Sequence, residues 1–336
     1  MRKNLVLGTA VAVAMMAFTA SGADAQARRG AAPAPSMGPP AAPVPARLGG
    51  HPNLNGVWQV MSNDANWDLE PHSAQSGPLG PAGERVLGTW SAEPPGLGVV
   101  EGDKIPYKPE ALARLNDNRA HRIVHDPEAA CYLPGIPRAT YIDLPFQIVQ
   151  GDGDDILMVY EYANANRVIE MKPVEVPPID TWMGTSYGHW EGDTLVVTTL
   201  AQSPGEYKAP AGEMISDAVT WLDRQGNYIT NTATVTERFR PMGPNHIDYT
   251  ATIDDPSVYS RPWRIHLVLY KHVEPNAQLL EFRCVPFSEM LLYGDLLENR
   301  GAPAPAAGGA GAAPPPPAVR APAAAPPAAP KTGERG

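Results

Sequence analysis

The stretch "FQIVQGDGDDILMVYEY", residues 146 to 162, decides the fold. Two apolar segments, 146–150 and 156–162, flank "GDGDD". Glycine adopts positive φ at little cost and aspartate side chains cap the backbone of a turn, so this composition is typical of a tight connection between strands. The stretch therefore predicts a β-hairpin, with two strands lying side by side and running in opposite directions.

The same pattern recurs along the chain. A strand is predicted at 55–61, and further pairs of strand-forming segments flank "EGD" (191–193), "GPN" (243–245) and "EPNA" (274–277), the last pair being 263–273 and 278–284. Apolar and polar residues alternate in the segment 263–273, as in a strand with one buried face. Successive hairpins at this spacing predict an all-β fold, either an antiparallel up-and-down, lipocalin-like barrel or a curled sandwich. Helix is expected at 108–120, where Pro109 stands near the start, and a second short helix at 288–300.

The N-terminal segment predicts export. Arg2 and Lys3 precede an uncharged apolar run from residue 5 to residue 20, and "ADA" at 23–25 fits a cleavage site between small residues. This arrangement is typical of a signal peptide, here residues 1–25. No later segment approaches the roughly 18 apolar residues that a membrane-spanning helix needs. We therefore expect a periplasmic or secreted protein without a membrane span.

Composition divides the mature chain into three parts. Residues 26–50 form a Pro/Ala-rich linker, 51–300 the antiparallel β domain, and 301–336 an Ala/Pro-rich tail that we expect to be disordered because it offers little apolar surface to bury. The whole chain holds 36 Asp and Glu against 26 Lys and Arg, a net charge of −10. An acidic chain without a basic stripe argues against nucleic acid and anionic membrane surfaces as partners.

The chain contains two cysteines, Cys131 and Cys284. Thiols within reach of each other tend to pair in an oxidising compartment, so an exported protein is expected to link them. A bridge across so long a loop is expected to stabilise the fold by up to about 5 kcal/mol. The alternative is a reactive free thiol, although no CxxC motif or activating histidine stands next to either cysteine.

Several longer motifs together resemble a bacterial family of secreted proteins of unknown function. The resemblance covers roughly residues 51 to 295 and follows the pattern DPEAxC, PGxPRATY, GxWEGDTLVV, TIDDP and RPW, here in "DPEAACYLPGIPRATY", "GHWEGDTLVV" and "TIDDPSVYSRPW". It implies a lipocalin-like fold and export. It implies no particular activity.

Three short motifs suggest catalysis or metal binding, and each has a simpler interpretation. "GTSYG" (184–188) matches the nucleophile elbow around Ser186, but the elbow needs a helix after its strand and a hairpin is predicted here. His121 and His125 have the spacing of a metal pair but no evident third ligand. "GDGDD" lacks the downstream carboxylate of a calcium loop. We therefore predict no metal site.

Ionisable residues in or beside apolar strands are the candidates for catalysis. Glu161 lies in "ILMVYEY", Arg167 follows a short turn, and His266 lies in a later strand. A buried carboxyl next to a guanidinium is either a structural ion pair or a tuned acid or base. His266 would be a proton carrier if its strand face pointed into the barrel, and part of a solvated face if it pointed outward. Both interpretations stay open.

Aromatic residues are the candidates for ligand binding. The set, completed by one arginine, is Trp58, Tyr160, Trp182, Tyr187, Trp190, Trp263 and Arg264. Large aromatic side chains can line a pocket for a flat or sugar-like ligand, but they also commonly fill protein cores.

Two functions follow from these features. The first is an exported soluble β-barrel protein that binds a small organic ligand in its interior. The alternative is an exported acid/base enzyme (a lyase, isomerase or hydrolase) acting on a small organic substrate through Glu161, Arg167 and His266. A structural envelope protein is a third possibility. No cofactor motif is present, and the oligomeric state is not predicted. Convergence of the charged side chains inside one cavity would favour the enzyme.

Overall fold

The computed structural model describes residues 46–62, 64–74, 94–153, 155–172, 175, 178–209 and 213–283. The signal peptide, most of the linker, the tail, Cys284 and the predicted helix at 288–300 lie outside these residues. Within these ranges the chain forms strands and a few short helices.

Nine strands form a closed barrel. In chain order they are β1 (Gly56–Val60), β2 (Phe146–Gln150), β3 (Ile156–Tyr160), β4 (Asn166–Glu170), β5 (Thr185–Glu191), β6 (Thr194–Leu200), β7 (Thr234–Pro241), β8 (His246–Asp254) and β9 (Trp263–Lys271). Each strand pairs with the next one along the chain, and β9 pairs with β1 to complete the circle. The structure thus confirms the all-β barrel rather than the curled sandwich.

Three of the predicted hairpins are confirmed. β2 and β3 flank "GDGDD", β5 and β6 flank the turn at 192–193, and β7 and β8 flank 242–245. These three turns lie at the same end of the barrel, which we call the hairpin end. The prediction of purely antiparallel pairing was wrong at one place, because β4 and β5 run parallel, with Ile169 opposite Ser186. The connection between them carries the chain back along the barrel before β5 begins.

The predicted strand at 278–284 is not formed by its described residues, 278–283. β9 already pairs with β8 along one edge and with β1 along the other, so no edge is left for a hairpin partner. The segment instead crosses the outside of the barrel, where the backbone N–H of Leu280 donates a hydrogen bond to Glu161 Oε2 at 2.7 Å.

The inward face of the barrel forms the hydrophobic core. The alternation predicted for β9 holds, since Ile265, Leu267 and Leu269 are buried whereas Arg264 and His266 are exposed. Large rings fill the interior, with centroids of Phe146 and Tyr160 5.5 Å apart and those of Phe239 and Tyr249 5.0 Å apart. Such packing stabilises the barrel through the removal of apolar surface from water.

Helices are few and short. The predicted helix at 108–120 is confirmed as a 3-10 turn, Pro109–Ala111, that continues into an α-helix, Leu112–Ala120. The other α-helical segments are single turns at Asp64–Trp67, Arg122–His125 and Arg138–Tyr141. Within the described ranges, no helix has the length and apolar character needed to cross a membrane.

Candidate ligand pocket at the barrel mouth

A pocket of about 350 Å³ opens at the hairpin end of the barrel. We call it the mouth pocket, and its principal walls are His51, Gln150, Ile156, Met171, His189 and Trp190. Gln150 and Ile156 lie on the inward-facing side of β2 and β3, opposite each other in the strand register. The pocket therefore continues the interior of the barrel outward.

A small hairpin forms one side of the mouth pocket. Arg47–Leu48 pairs with His51–Pro52 through a turn at Gly49 and Gly50. Their φ angles of +57° and +81° are those that a two-residue hairpin turn requires and that glycine adopts without strain. The end of the predicted linker is thus paired with the β domain, which places His51 at the mouth.

The ring of His51 stacks on that of Trp190. The ring centroids are 4.6 Å apart and the planes differ by 6°. Trp190 lies on the same inward side of β5 as Ser186 and Gly188, at the end of the strand. His51 Nδ1 is shielded from solvent and makes no hydrogen bond within the described part of the chain. One wall of the pocket is therefore an aromatic stack, and the Nδ1 atom of its histidine has no hydrogen-bond partner among the described residues.

Gln150 holds the chain that precedes β1. Its Oε1 accepts from the backbone N–H of Leu54 at 2.8 Å, and its Nε2 donates to the carbonyl of Pro52 at 3.2 Å. The Asn55 side chain accepts from the backbone N–H of Gln150 at 2.8 Å. These bonds fix the segment that carries His51, so the aromatic wall is built on a rigid support.

Gly188 makes room for the base of the pocket. A Cβ atom at this position would lie 2.7 Å from Ile169 Cγ2 and 3.1 Å from Met171 Sδ. Met171 lines the mouth pocket, so a side chain at position 188 would clash with Met171 and narrow the pocket.

The other predicted ligand-binding residues lie elsewhere. Trp58, Tyr160 and Trp263 are almost fully buried in the core. Tyr187 points to the outer side of β5. Trp182 stacks on Tyr132, with centroids 5.1 Å apart. Arg264 is exposed and pairs with Glu101 at 3.3 Å. Trp190 is the member of the predicted set that reaches the mouth pocket.

Arg167 points into the barrel, where it pairs with a residue that the sequence did not suggest. Its guanidinium donates two hydrogen bonds to Glu237, at 2.6 and 3.0 Å, and Tyr249 Oη donates a further bond to Glu237 Oε1 at 2.9 Å. Burial raises the pKa of the neighbouring Tyr160 to about 12, although Arg167 acts in the opposite direction. The network of Arg167, Glu237 and Tyr249 is buried, and the positive charge of Arg167 balances the negative charge of Glu237.

Glu161, Arg167 and His266 are not brought together. Glu161 follows the end of β3 and lies on the outside of the barrel, where Leu280 donates to it. His266 is on the outward face of β9, 2.5 Å from Asp248 Oδ1. The expectation of a Glu161–Arg167 pair was wrong, because the strand ends at Tyr160 and Arg167 turns inward.

The short motifs form ordinary structure. Ser186 lies within β5 and shares a hydrogen bond of 2.9 Å with Thr199, so "GTSYG" is a strand and not a nucleophile elbow. His121 and His125 stack on each other, and His125 Nε2 lies 3.0 Å from Glu213. In the described ranges no three His, Cys, Asp or Glu residues are grouped so that they could hold a metal ion.

A second buried ionic cluster was missed by sequence reasoning. Arg138 donates to Asp126 at 2.8 Å and to Glu128 at 2.5 Å, and Arg224 donates to Glu128 at 2.7 Å. Burial acts to raise the pKa of Glu128, but the two guanidinium groups outweigh it and hold that pKa below its usual range. The sequence does place two acidic residues close to an arginine. Asp126 and Glu128 flank the proline of "DPEAAC", and Arg138 is the first residue of "RATY".

Cys131 belongs to the same loop. It ends the 3-10 turn Pro127–Ala130 in the left-handed conformation, with φ +64°. Its predicted partner Cys284 is outside the described residues, so the disulfide stays a prediction.

Comparison with known proteins adds no relative: no protein-family model, no curated protein and no solved structure matches this chain.

Proposed function

We propose that this chain is an exported soluble β-barrel protein that binds a small organic ligand at the mouth of its barrel. The observation that carries the proposal is the mouth pocket walled by the His51–Trp190 stack. Its volume of about 350 Å³ is within the range of small-molecule sites, and the open ends of β-barrels are a preferred place for them. Export, to the periplasm or beyond, rests on the N-terminal sequence.

The composition of the pocket indicates the class of ligand. Trp190, Ile156 and Met171 supply apolar surface, whereas Gln150, His51 and His189 supply polar atoms. A flat molecule with an apolar ring system and a polar group matches this combination, because the ring system packs on Trp190 and the polar group meets the polar atoms of the wall. In the barrel interior, the buried Arg167 and Glu237 are already paired with each other.

Binding is preferred to acid/base catalysis for a geometric reason. A catalytic acid and base must both reach the substrate. Here Glu161 and His266 lie outside the barrel and Arg167 lies inside it, bonded to Glu237. The three candidates therefore do not support the enzyme alternative.

Calorimetry with 2-naphthol and 2-naphthoate tests the proposal on the mature chain. At least one probe should bind, and Trp190→Ala should weaken it by about tenfold or more, because a large apolar contact is lost. Trp182→Ala is the matched control, since Trp182 is also a half-buried tryptophan stacked on a neighbouring ring, Tyr132. Absence of binding by both probes, or equal losses in the two variants, would refute the mouth pocket as a ligand site.

A further inference from the structure

A second cavity lies on the outside of the barrel. It has a volume of about 440 Å³, lies between the barrel wall and the segment 272–280, and is open to solvent. We call it the outer cleft. Its floor is formed by the outward-facing Val57 and Gln59 of β1 together with Pro145, and Glu161 closes one side. The outer cleft shares no lining residue with the mouth pocket.

Glu161 is a buried carboxylate with little compensation. The residue is 8% exposed, and its Oε2 accepts one hydrogen bond, from Leu280. Its Oε1 accepts none, and no Lys, Arg or His lies within ion-pair distance, as far as the described residues go. A partly buried carboxylate with few partners gains a charge-assisted hydrogen bond when a cation binds beside it.

Other buried carboxylates of the barrel are compensated. Glu237 is paired with Arg167, and Asp126 with Arg138. Asp255 pairs with no cation of the described chain but accepts from the backbone N–H and the hydroxyl group of both Thr230 and Ser257. Glu161 has neither a cation partner nor more than one hydrogen bond among the described residues, and it borders a cavity of ligand size.

The rest of the outer cleft also favours a cation. Glu274 adds a second carboxylate at the rim, and among the described residues no lysine or arginine lines the cavity. His272 is turned away from Glu161, since its Nε2 lies 3.0 Å from Gln59 Oε1 and its Nδ1 lies 3.5 Å from Glu274. The described lining of the cleft therefore offers Glu161 no lysine or arginine as a partner.

We propose that the outer cleft binds a small organic cation, an alkylammonium or alkylguanidinium, whose charged head is held by Glu161. The cation donates to the free Oε1, and its alkyl part packs on Val57, Pro145 and Leu280. A metal ion fits less well, because hard cations need six or more oxygen ligands and this side of the cleft offers one buried carboxylate.

Titration calorimetry with n-butylammonium and n-butylguanidinium tests this assignment, with n-butanol as the neutral isostere. The unmodified chain should bind at least one of the two cations, and n-butanol should bind about tenfold more weakly or not at all, because a charge-assisted hydrogen bond to the carboxylate is lost. Glu161→Gln should remove the preference for the cation, whereas Glu274→Gln should change the affinity by less than about threefold because that carboxylate is exposed.

A second variant keeps the proposal testable if Glu161→Gln alters the fold. Ala277 is exposed and lines the cleft, so Ala277→Trp should block the cation while leaving Glu161 in place. Absence of cation binding, equal binding of n-butanol, or full affinity in both Glu161→Gln and Ala277→Trp would overturn the proposal. Tighter binding of Ca²⁺ than of either organic cation at Glu161 would also overturn it. Binding of the naphthyl probes at the mouth pocket should be unchanged in Glu161→Gln, so the two proposals fail separately.

Discussion

The barrel interior and the outer cleft each bury a glutamate, and the two glutamates differ in what surrounds them. Glu237 is fully buried and holds a two-point ion pair with Arg167, completed by Tyr249. Glu161 is almost as deeply buried but receives a single backbone hydrogen bond. The carboxylate of Glu237 is satisfied by the described chain alone, whereas that of Glu161 is not.

This difference distinguishes structural charge from charge that is available to a ligand. An ion pair inside a barrel is expensive to form, but removing one partner is more expensive still, because the remaining charge stays buried. A carboxylate with an unused oxygen beside a cavity can gain a partner from solution. Three predictions test the comparison, from the largest expected effect to the smallest.

Glu237→Gln should be strongly destabilising. The substitution leaves the Arg167 guanidinium buried without its counter-charge, which typically costs about 3–5 kcal/mol in the free energy of unfolding. Urea unfolding of the variant and the parent chain measures the loss. The double variant Arg167→Met/Glu237→Leu should recover most of it, because no uncompensated charge then remains. A single variant as stable as the parent would mean that water reaches the interior pair.

Asp223 represents an intermediate case, and it predicts a pH dependence. Its carboxylate is buried and accepts from Leu69, Gln225 and Asn227 but pairs with no cation of the described chain. Burial, with the nearby Asp68 carboxylate, raises its pKa from 3.8 to about 7. Between these two values the folded state binds more protons than the unfolded state, so the free energy of unfolding should fall as pH rises from about 4 to 7.

The Asp223 contribution is measured as a difference between two chains. Urea unfolding of the parent and of Asp223→Asn at several pH values should show the fall between pH 4 and 7 in the parent and a shallower fall in the variant. Identical pH profiles would show that the four hydrogen bonds keep Asp223 ionised throughout.

Glu161→Gln should have the smallest effect on stability. Glutamine can still accept the hydrogen bond of Leu280 through its carbonyl oxygen, and no cation of the described chain loses a partner, so a loss of less than about 1 kcal/mol is expected. The same unfolding experiment applies. A loss comparable to that of Glu237→Gln would place Glu161 among the structural charges and remove the basis of the comparison.

Local sequence patterns predicted the architecture well. The turns at 151–155, 192–193 and 242–245 carry glycine, asparagine or aspartate between strand-forming segments, and the hairpins that they predict are formed. Such signals depend on a few neighbouring residues, so they can be recognised without knowledge of the rest of the chain.

Pairings between distant residues could not be predicted in this way. Arg167 is nearer in sequence to Glu161, but its partner is Glu237. The direction of a side chain in a barrel depends on the register of its strand and on which strands pair to close the barrel. The mouth pocket depends likewise on the His51–Trp190 contact, which joins residues from different parts of the chain. Trp190 was predicted as a ligand-binding residue, but no motif near His51 in the sequence indicates that this histidine lines a pocket.

The strand number itself has a topological consequence. A barrel in which every neighbour is antiparallel needs an even number of strands, since directions must alternate all the way round. With nine strands one pair must point the same way, and here it is β4 and β5. Their ladder matches Ile169 and Glu170 with Ser186 and Tyr187, and it is shorter than that of any other neighbouring pair in the barrel. Met171 follows β4 and Trp190 lies at the end of β5, so the parallel pair that the odd strand number requires lies directly beside the mouth pocket.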